Sequence, residues 1–117
     1  MSDVGLDSLK GMKSLEVLDL NSDQITDAGL DRLVGLTNLK KLDLANCWIT
    51  DAGLLKLTKL PNLHTLNLQR TRVTDAGLET IKHLKGLTEL DVAGCAVTRA
   101  GIDSLCAALP HLMIRRN

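Results

Sequence analysis

The chain of 117 residues carries 14 Lys and Arg against 14 Asp and Glu, contains 25 leucines, and has one Trp with neither Phe nor Tyr. This balanced charge lacks the basic surplus typical of dedicated nucleic-acid or membrane-surface binders. No apolar run approaches the roughly 20 residues that a membrane-spanning helix needs, and residues 1–5 lack the basic and apolar stretches of a signal peptide. Three cysteines in such a chain favour a reducing compartment. The sequence therefore predicts a cytoplasmic protein of one domain.

The six-residue phrase I-T-D-A-G-L and its variants recur along the chain with a step of 24 residues, and residues 2–6 stand at the equivalent position at the start of the chain. Thr26 or Asp27 is a suitable N-cap, which predicts a helix that begins near Ala28. The next residue, Gly29, predicts close packing where the helix meets the turn. The copies are I-T-D-A-G-L at 25–30 and 49–54, V-T-D-A-G-L at 73–78 and V-T-R-A-G-I at 97–102.

A second pattern, of the form L-x-x-L-x-L, predicts one short strand in each repeat. Leu42 and Leu44 flank Asp43, which fits a strand whose leucines point inward and whose intervening residue points to water. The last copy comes 22 residues after its predecessor, so the helix before it is predicted to be two residues shorter than the others. The copies begin at Leu15, Leu39, Leu63, Leu87 and Leu109.

Leucines spaced by three predict a helix that returns across the back of each repeat. Leu30, Leu33, Leu36 and Leu39 would form one apolar stripe on that helix. One such unit cannot bury its own leucines, so neighbouring units must stack and share a continuous core. The stacked strands then form a parallel sheet with a spacing of about 4.8 Å.

The two patterns together resemble the leucine-rich repeat family, whose repeats are roughly 20 to 29 residues long. The T-D-A-G-L phrase is similar both to the cysteine-containing repeats of F-box substrate receptors and to long bacterial arrays. The resemblance implies an α/β repeat solenoid of five stacked leucine-rich repeats, with a short parallel sheet on the concave face and helices on the convex face. It implies one domain, 1–117, with repeats at about 1–24, 25–48, 49–72, 73–96 and 97–117.

The cysteines are predicted to have structural roles. Cys47 and Cys95 are two repeats apart, which is about 10 Å by strand spacing, whereas a disulfide needs Cα atoms within about 7 Å of each other. Both stand where the family usually places Asn, and they are expected to satisfy backbone groups in the turn after the strand. Cys106 falls in the last predicted helix and is expected to be packed there.

Outward-facing strand residues form columns across the predicted sheet, and in leucine-rich repeat proteins this face is the usual partner surface. Trp48 stands outside the core positions, and Trp and Arg are enriched among interface hot spots. The 22-residue step of the last repeat assigns His111 to the column of Glu89 and Met113 to the column of Asp91. The resemblance thus implies a protein partner. The predicted partner-binding residues are Lys41, Asp43, Thr65, Asn67, Gln69, Glu89 and Asp91, with Trp48, Arg70 and Arg72 at one rim.

Catalytic and metal chemistry find little support in the sequence. Asp19 and Asp43 fall on adjacent predicted strands, where paired carboxylates can hold a hard cation, but the preferred interpretation is an ordinary half-exposed strand with solvated carboxylates. The three histidines fall at different repeat positions. An enzyme needs a nucleophile, a base and an enclosed pocket, and no such set is visible. We therefore predict no catalytic residues, no metal, no cofactor and no enzyme activity.

Three functional hypotheses remain open. The leading one is a non-catalytic protein–protein interaction module that binds through its concave face. The second is structural: a self-assembling solenoid fragment or designed repeat scaffold that forms a homodimer or associates end to end, motivated by net charges of −3 over residues 1–58 and +3 over residues 59–117. The third, suggested by the cysteine-bearing repeats, is a substrate-recruiting fragment of a ubiquitin-ligase receptor. Neither nucleic acid nor a membrane is predicted as a partner.

Overall fold

The computed structural model describes residues 3–21 and 24–116, in which five short parallel strands form one sheet in chain order. Helices alternate with the strands along the chain, which confirms the predicted α/β repeat solenoid. The strands are β1 (Val17–Asp19), β2 (Lys41–Asp43), β3 (Thr65–Asn67), β4 (Glu89–Asp91) and β5 (Met113–Arg115). The helices are two 3₁₀ helices, η1 (Val4–Leu9) and η2 (Asp27–Leu33), and three α-helices, α1 (Asp51–Leu57), α2 (Asp75–Ile81) and α3 (Arg99–Ala108).

The core is a stack of leucines to which every repeat contributes. The central leucines of β2, β3 and β4 point inward, and Leu42, Leu66 and Leu90 are each at most 2% exposed. Strand pairing places Leu42 beside Leu18 on one side and beside Leu66 on the other. Equivalent leucines therefore contact one another along the stack, as expected for repeats that cannot bury their own apolar surface.

The helices are shorter than the leucine spacing predicted. In the second repeat η2 contains Leu30 and Leu33, whereas Leu36 and Leu39 lie in the turns that follow, and all four are fully buried. The backbone N–H of Leu36 donates to the carbonyl of Leu33, and that of Leu39 donates to the carbonyl of Leu36. A spacing of three residues is the period of a 3₁₀ helix, so the stripe of leucines marks successive three-residue turns and not one long α-helix.

The prediction of a shorter helix in the last repeat is wrong. With ten residues, α3 is the longest helix among the described residues, and none of these helices is long and apolar enough to cross a membrane. The connection to the following strand is shortened instead, from 82–88 after α2 to 109–112 after α3. As a result β5 keeps the step of 24 residues, and Met113 pairs with Glu89.

The aspartate of each T-D-A-G-L phrase ties its repeat to the next one, in an arrangement that we call the Asp–Thr clasp. Asp3 accepts hydrogen bonds from the backbone N–H of Thr26 at 2.9 Å and from the Thr26 hydroxyl at 2.5 Å. In the fifth repeat Arg99 occupies the aspartate position, and its side chain is 83% exposed. The clasps in the described residues are Asp3–Thr26, Asp27–Thr50, Asp51–Thr74 and Asp75–Thr98.

The glycine of the phrase leaves room for the clasp. A Cβ atom on Gly53 would overlap the Asp27 carboxylate and lie 2.9 Å from its carboxyl carbon. The corresponding atom on Gly101 would overlap the Asp75 carboxylate in the same way. The predicted close packing is therefore present, and the group packed against the glycine is the aspartate of the preceding repeat.

Replacing Gly53 by alanine tests this contact. Alanine is normally favoured over glycine inside a helix by about 1 kcal/mol. Here we expect Gly53→Ala to lower the free energy of unfolding by about 1–3 kcal/mol, because the new methyl group must displace the Asp27 carboxylate. Urea denaturation followed by circular dichroism measures the change. Gly11→Ala is the matched control, since a methyl group there meets nothing within 4 Å. The double variant Asp27→Ala/Gly53→Ala should lose much less than the sum of the single losses, and additive losses would contradict the overlap.

The clasp of Asp75 also predicts a pH dependence. Hydrogen bonds from the hydroxyl and the backbone N–H of Thr98 lower the pKa of the Asp75 carboxyl below its ordinary value of 3.8. A carboxylate with a lowered pKa stabilises the folded state above the pKa of the unfolded chain, and this stabilisation is lost as pH falls through the lowered value. We expect unfolding titrations between about pH 5 and pH 2 to show a smaller loss of stability in Asp75→Asn than in the wild type. Parallel pH profiles for the two proteins would contradict this expectation.

Candidate functional site

The outward-facing residues of the five strands form two rows across the sheet face. Strand pairing joins the first residues of successive strands into row one and the third residues into row two, without a gap between neighbouring strands. Row one is Val17, Lys41, Thr65, Glu89 and Met113, and row two is Asp19, Asp43, Asn67, Asp91 and Arg115.

The last members of both rows differ from the prediction. Met113 lies beside Glu89 and Arg115 lies beside Asp91, whereas the 22-residue step assigned His111 and Met113 to these columns. His111 lies in the turn before β5, where its Nε2 atom is 3.1 Å from the carbonyl oxygen of Leu87. The sheet face therefore ends in a thioether and a guanidinium instead of an imidazole and a thioether.

The two rows line two adjoining hollows on the sheet face. A cavity of about 490 Å³ lies over β3, β4 and β5, and a smaller one of about 260 Å³ lies over β1, β2 and β3. Thr65 and Asn67 line both. Gln69 is half-buried just after β3 and does not line either hollow. The structure brings together six of the seven predicted strand-face residues, namely Lys41, Asp43, Thr65, Asn67, Glu89 and Asp91.

Two exposed apolar side chains on this face were not among the predicted site residues. Val17 is 59% exposed and Met113 is 71% exposed, at opposite ends of row one. Alternation along β1 already directs Val17 outward, so the sequence contained that signal. Placing Met113 required the pairing of β5 with β4.

Row two also has a structural task that the sequence did not reveal. The Oδ1 atom of Asp43 accepts a hydrogen bond from the backbone N–H of Ala45 at 2.9 Å, which closes a local turn after β2. The sequence predicted solvated carboxylates on this strand and did not include this hydrogen bond. The other Asx turns are Asp19 to Asn21, Asn67 to Gln69 and Asp91 to Ala93.

The same bonds bear on the neighbouring carboxylates of β1 and β2. Strand pairing places Asp19 beside Asp43, as predicted. Each directs one carboxylate oxygen to a backbone N–H in its own turn. Within residues 3–21 and 24–116, no group of three or more His, Cys, Asp or Glu side chains could hold a metal ion.

Two of the three cysteine predictions are confirmed. The thiol of Cys47 donates to the carbonyl of Leu20 at 3.1 Å, and that of Cys95 donates to the carbonyl of Leu68 at 2.9 Å. Both thiols therefore satisfy backbone groups of the preceding repeat. The prediction for Cys106 is wrong, because this residue is exposed. The buried side of α3 presents Ile102 and Leu105, and Cys106 falls beside that stripe.

The predicted rim residues lie in the turns that follow the strands. Trp48 is 60% exposed, and Arg70 and Arg72 are both exposed. Backbone bridges join Trp48 to Thr26 and Arg72 to Thr50. Trp48 and Arg72 therefore occupy the same position in adjacent repeats.

Comparisons with protein families agree with this geometry. Models described as leucine-rich repeats match residues 1–49 and 83–106, and a model of two such repeats matches residues 37–80. This chain is a leucine-rich repeat protein. None of the curated proteins compared with it matches significantly.

Solved structures show the same fold. An internalin C2 from Listeria monocytogenes has a TM-score of 0.74 and 33% identity, over 92% of this leucine-rich repeat chain and 44% of its own. Actin-binding site 2 of leiomodin-1 has a TM-score of 0.72 and 16% identity, over 97% and 78% of the two chains. A leucine-rich repeat protein of Leptospira interrogans has a TM-score of 0.62 and 21% identity, over 92% and 33%. The chain thus spans less than half of the length of two of these three structures.

The Asx turn of Asp43 yields a stability prediction. Asp43→Ala removes the acceptor for the Ala45 N–H and should cost about 1 kcal/mol. Asp43→Asn retains an acceptor oxygen and should stay close to the wild type. Lys41→Ala is a control in the neighbouring exposed position of the same strand and should change little. Chemical denaturation measures all three, and a loss in Asp43→Ala no larger than that in Lys41→Ala would contradict the structural role of this hydrogen bond.

Proposed function

We propose that this leucine-rich repeat chain is a non-catalytic protein-interaction module that acts as one domain, 1–117, and binds a partner protein through the concave sheet face. The observation that carries the proposal is the pair of adjoining hollows, about 490 and 260 Å³, lined by side chains of all five strands. The proposed contact residues are Lys41, Asp43, Thr65, Asn67, Gln69, Glu89 and Asp91, with Trp48, Arg70 and Arg72 at one rim.

Rigid presentation supports binding as the role of this face. Every strand is paired on at least one side, and Asx turns hold the side chains of Asp43, Asn67 and Asp91 in place. A surface that is ordered before a partner arrives loses little conformational entropy on binding. Row one is free to vary in chemistry, because its side chains do not close these turns. We therefore propose that row one supplies the specificity.

The comparisons support a protein as the partner, without naming it. The leiomodin-1 structure is of an actin-binding site, so a chain of this fold has a protein partner in that case. At 16% identity the likeness shows the fold alone, and actin is not proposed for this chain. The self-assembly and ubiquitin-ligase hypotheses stay as predictions, since no observation favours either. We also propose a cytoplasmic location, supported by a sequence with three cysteines and no disulfide-framework pattern.

Exchanging two charges within row one tests the sheet face without disturbing the Asx turns. The double variant Lys41→Glu/Glu89→Lys keeps the net charge, and both side chains are exposed. Proteins captured from an extract by the immobilised wild-type chain would be identified, and the affinity of each would then be measured with both forms. We expect a direct partner to bind about tenfold more weakly to the exchanged form, since like charges brought together at an interface oppose binding.

A matched exchange on the helix side controls for charge placement. Lys59 and Asp103 are exposed and lie outside both rows, and Lys59→Glu/Asp103→Lys should bind like the wild type. Unchanged affinity in the row-one variant, with the loss appearing in the helix-side variant, would move the binding surface to the convex face and end the proposal.

A further inference from the structure

The turns after β2, β3 and β4 form one continuous edge of the sheet, which we call the rim and define as 45–48, 69–72 and 93–96. Backbone bonds hold the three turns in register: the N–H of Asn46 donates to the carbonyl of Gln69, and that of Arg70 donates to the carbonyl of Ala93, both at 2.8 Å. The rim therefore presents its side chains at fixed positions from one repeat to the next.

Charge on the rim is confined to two arginines. Arg70 and Arg72 are the only charged residues in these three turns, and within the described residues neither forms an ion pair. On the helix side, by contrast, Arg32 contacts Asp7 at 2.6 Å and Lys56 contacts Asp31 at 3.0 Å. The rim is thus a site of uncompensated positive charge beside the one indole of the chain.

Arg70 stands in a backbone conformation that disfavours it. Its φ is +57°, and the equivalent residues of the neighbouring turns are Asn46 at +63° and Gly94 at +77°. Gly and Asn accept this left-handed conformation most readily, whereas Arg does so rarely. A Cβ atom on Gly94 would lie 2.9 Å from Cγ of Arg70, so the glycine leaves space for the arginine stem. Arg70 is thus exposed and has a strained backbone, and Gly94 leaves room for its side chain. Backbone strain of this kind is typical of functional sites, which points to a binding role for the guanidinium of Arg70.

We infer that the rim binds an acidic segment of a protein partner, with carboxylates against Arg70 and Arg72 and an apolar side chain against Trp48. Guanidinium groups bind carboxylates through paired, charge-assisted hydrogen bonds, and Trp and Arg are the side chains that most often dominate interfaces. The sheet face repels such a segment, because its rows carry Asp19, Asp43, Glu89 and Asp91 against Lys41 and Arg115. The inference deepens the proposed function by giving the chemistry of the partner at the rim.

A protein segment is favoured over nucleic acid as the anionic partner. Proteins that bind single strands combine a basic groove with several aromatic side chains on which successive bases stack. This chain has one aromatic residue and no net charge. The rim offers two cations and one indole, enough for two acidic residues around one apolar residue.

Trp48 itself reports on the rim, since the chain has no other Trp and no Tyr or Phe. The probe is a blocked peptide, Gly-Glu-Leu-Glu-Leu-Glu-Gly, titrated into the full chain while Trp emission is recorded. We expect a blue shift as the indole is covered, a weaker effect at high salt, and no shift with the peptide in which Lys replaces Glu. Arg70→Asn and Arg72→Ala should each weaken binding about fivefold or more. Lys85→Ala, an exposed lysine outside the rim, should bind like the wild type.

The variant Arg70→Asn separates binding from folding. Asparagine suits the left-handed backbone better than arginine, so this variant should unfold at the same or a higher urea concentration while it binds the peptide more weakly.

Wild-type affinity of the peptide for both arginine variants would overturn the inference, as would an equal blue shift with the lysine peptide. Stronger binding of a thymidine octanucleotide would replace it with a nucleic-acid site. A natural partner that binds Lys41→Glu/Glu89→Lys weakly but keeps its wild-type affinity for both rim variants would refute the acidic-segment site at the rim and leave binding by the sheet face intact. A natural partner that loses affinity only for the rim variants would refute binding by the sheet face and leave the rim site intact.

Discussion

The Asp–Thr clasp is the contact on which the order of the stack depends. A carboxylate in one repeat accepts from both the backbone N–H and the hydroxyl of the threonine that precedes the helix of the next, as in Asp3 with Thr26. Hydrogen bonds to a charged acceptor are stronger than neutral ones, and they are directional where leucine packing is not. Leucines could pack in more than one register, whereas a carboxylate that bridges two donors of one residue allows one. The clasp thereby fixes the register of successive repeats, and so the even spacing of side chains on the sheet face.

The sequence predicted the first four strands and the rows they form, because leucine positions with a constant step of 24 residues report directly on burial. The last repeat shows where that reasoning stops. Leu112 is buried as a leucine pattern predicts, but it lies in the turn before β5 and not in the strand. Burial says which side chains enter the core. It does not say which backbone groups pair, so the sequence assigned His111 and Met113 to the wrong columns.

The candidate site was predictable to a similar extent. Alternation of residues placed Lys41 and Glu89 on the sheet face, and the non-core position of Trp48 placed it outside the core. The Asx turns of row two were not visible in advance, because an aspartate that binds its own turn and one that faces water look alike in an L-D-L strand. The positive φ of Arg70 was equally hidden, since the residue type argues against it. The Asx turns show that row-two side chains stabilise the backbone of the turns. The backbone at Arg70 holds a guanidinium at the rim, where it can contact a partner.

The arginine at position 99 changes what the repeating phrase can do. Where the four preceding copies offer an acceptor, this copy offers a donor, and its guanidinium contacts Asp103 of its own helix at 4.0 Å. A threonine brought alongside by another repeat, whether from this chain or from a second one, would present an N–H and a hydroxyl to a cation. This one change in the motif removes the acceptor of the clasp, so a further unit could pack against this helix only through contacts of a different kind.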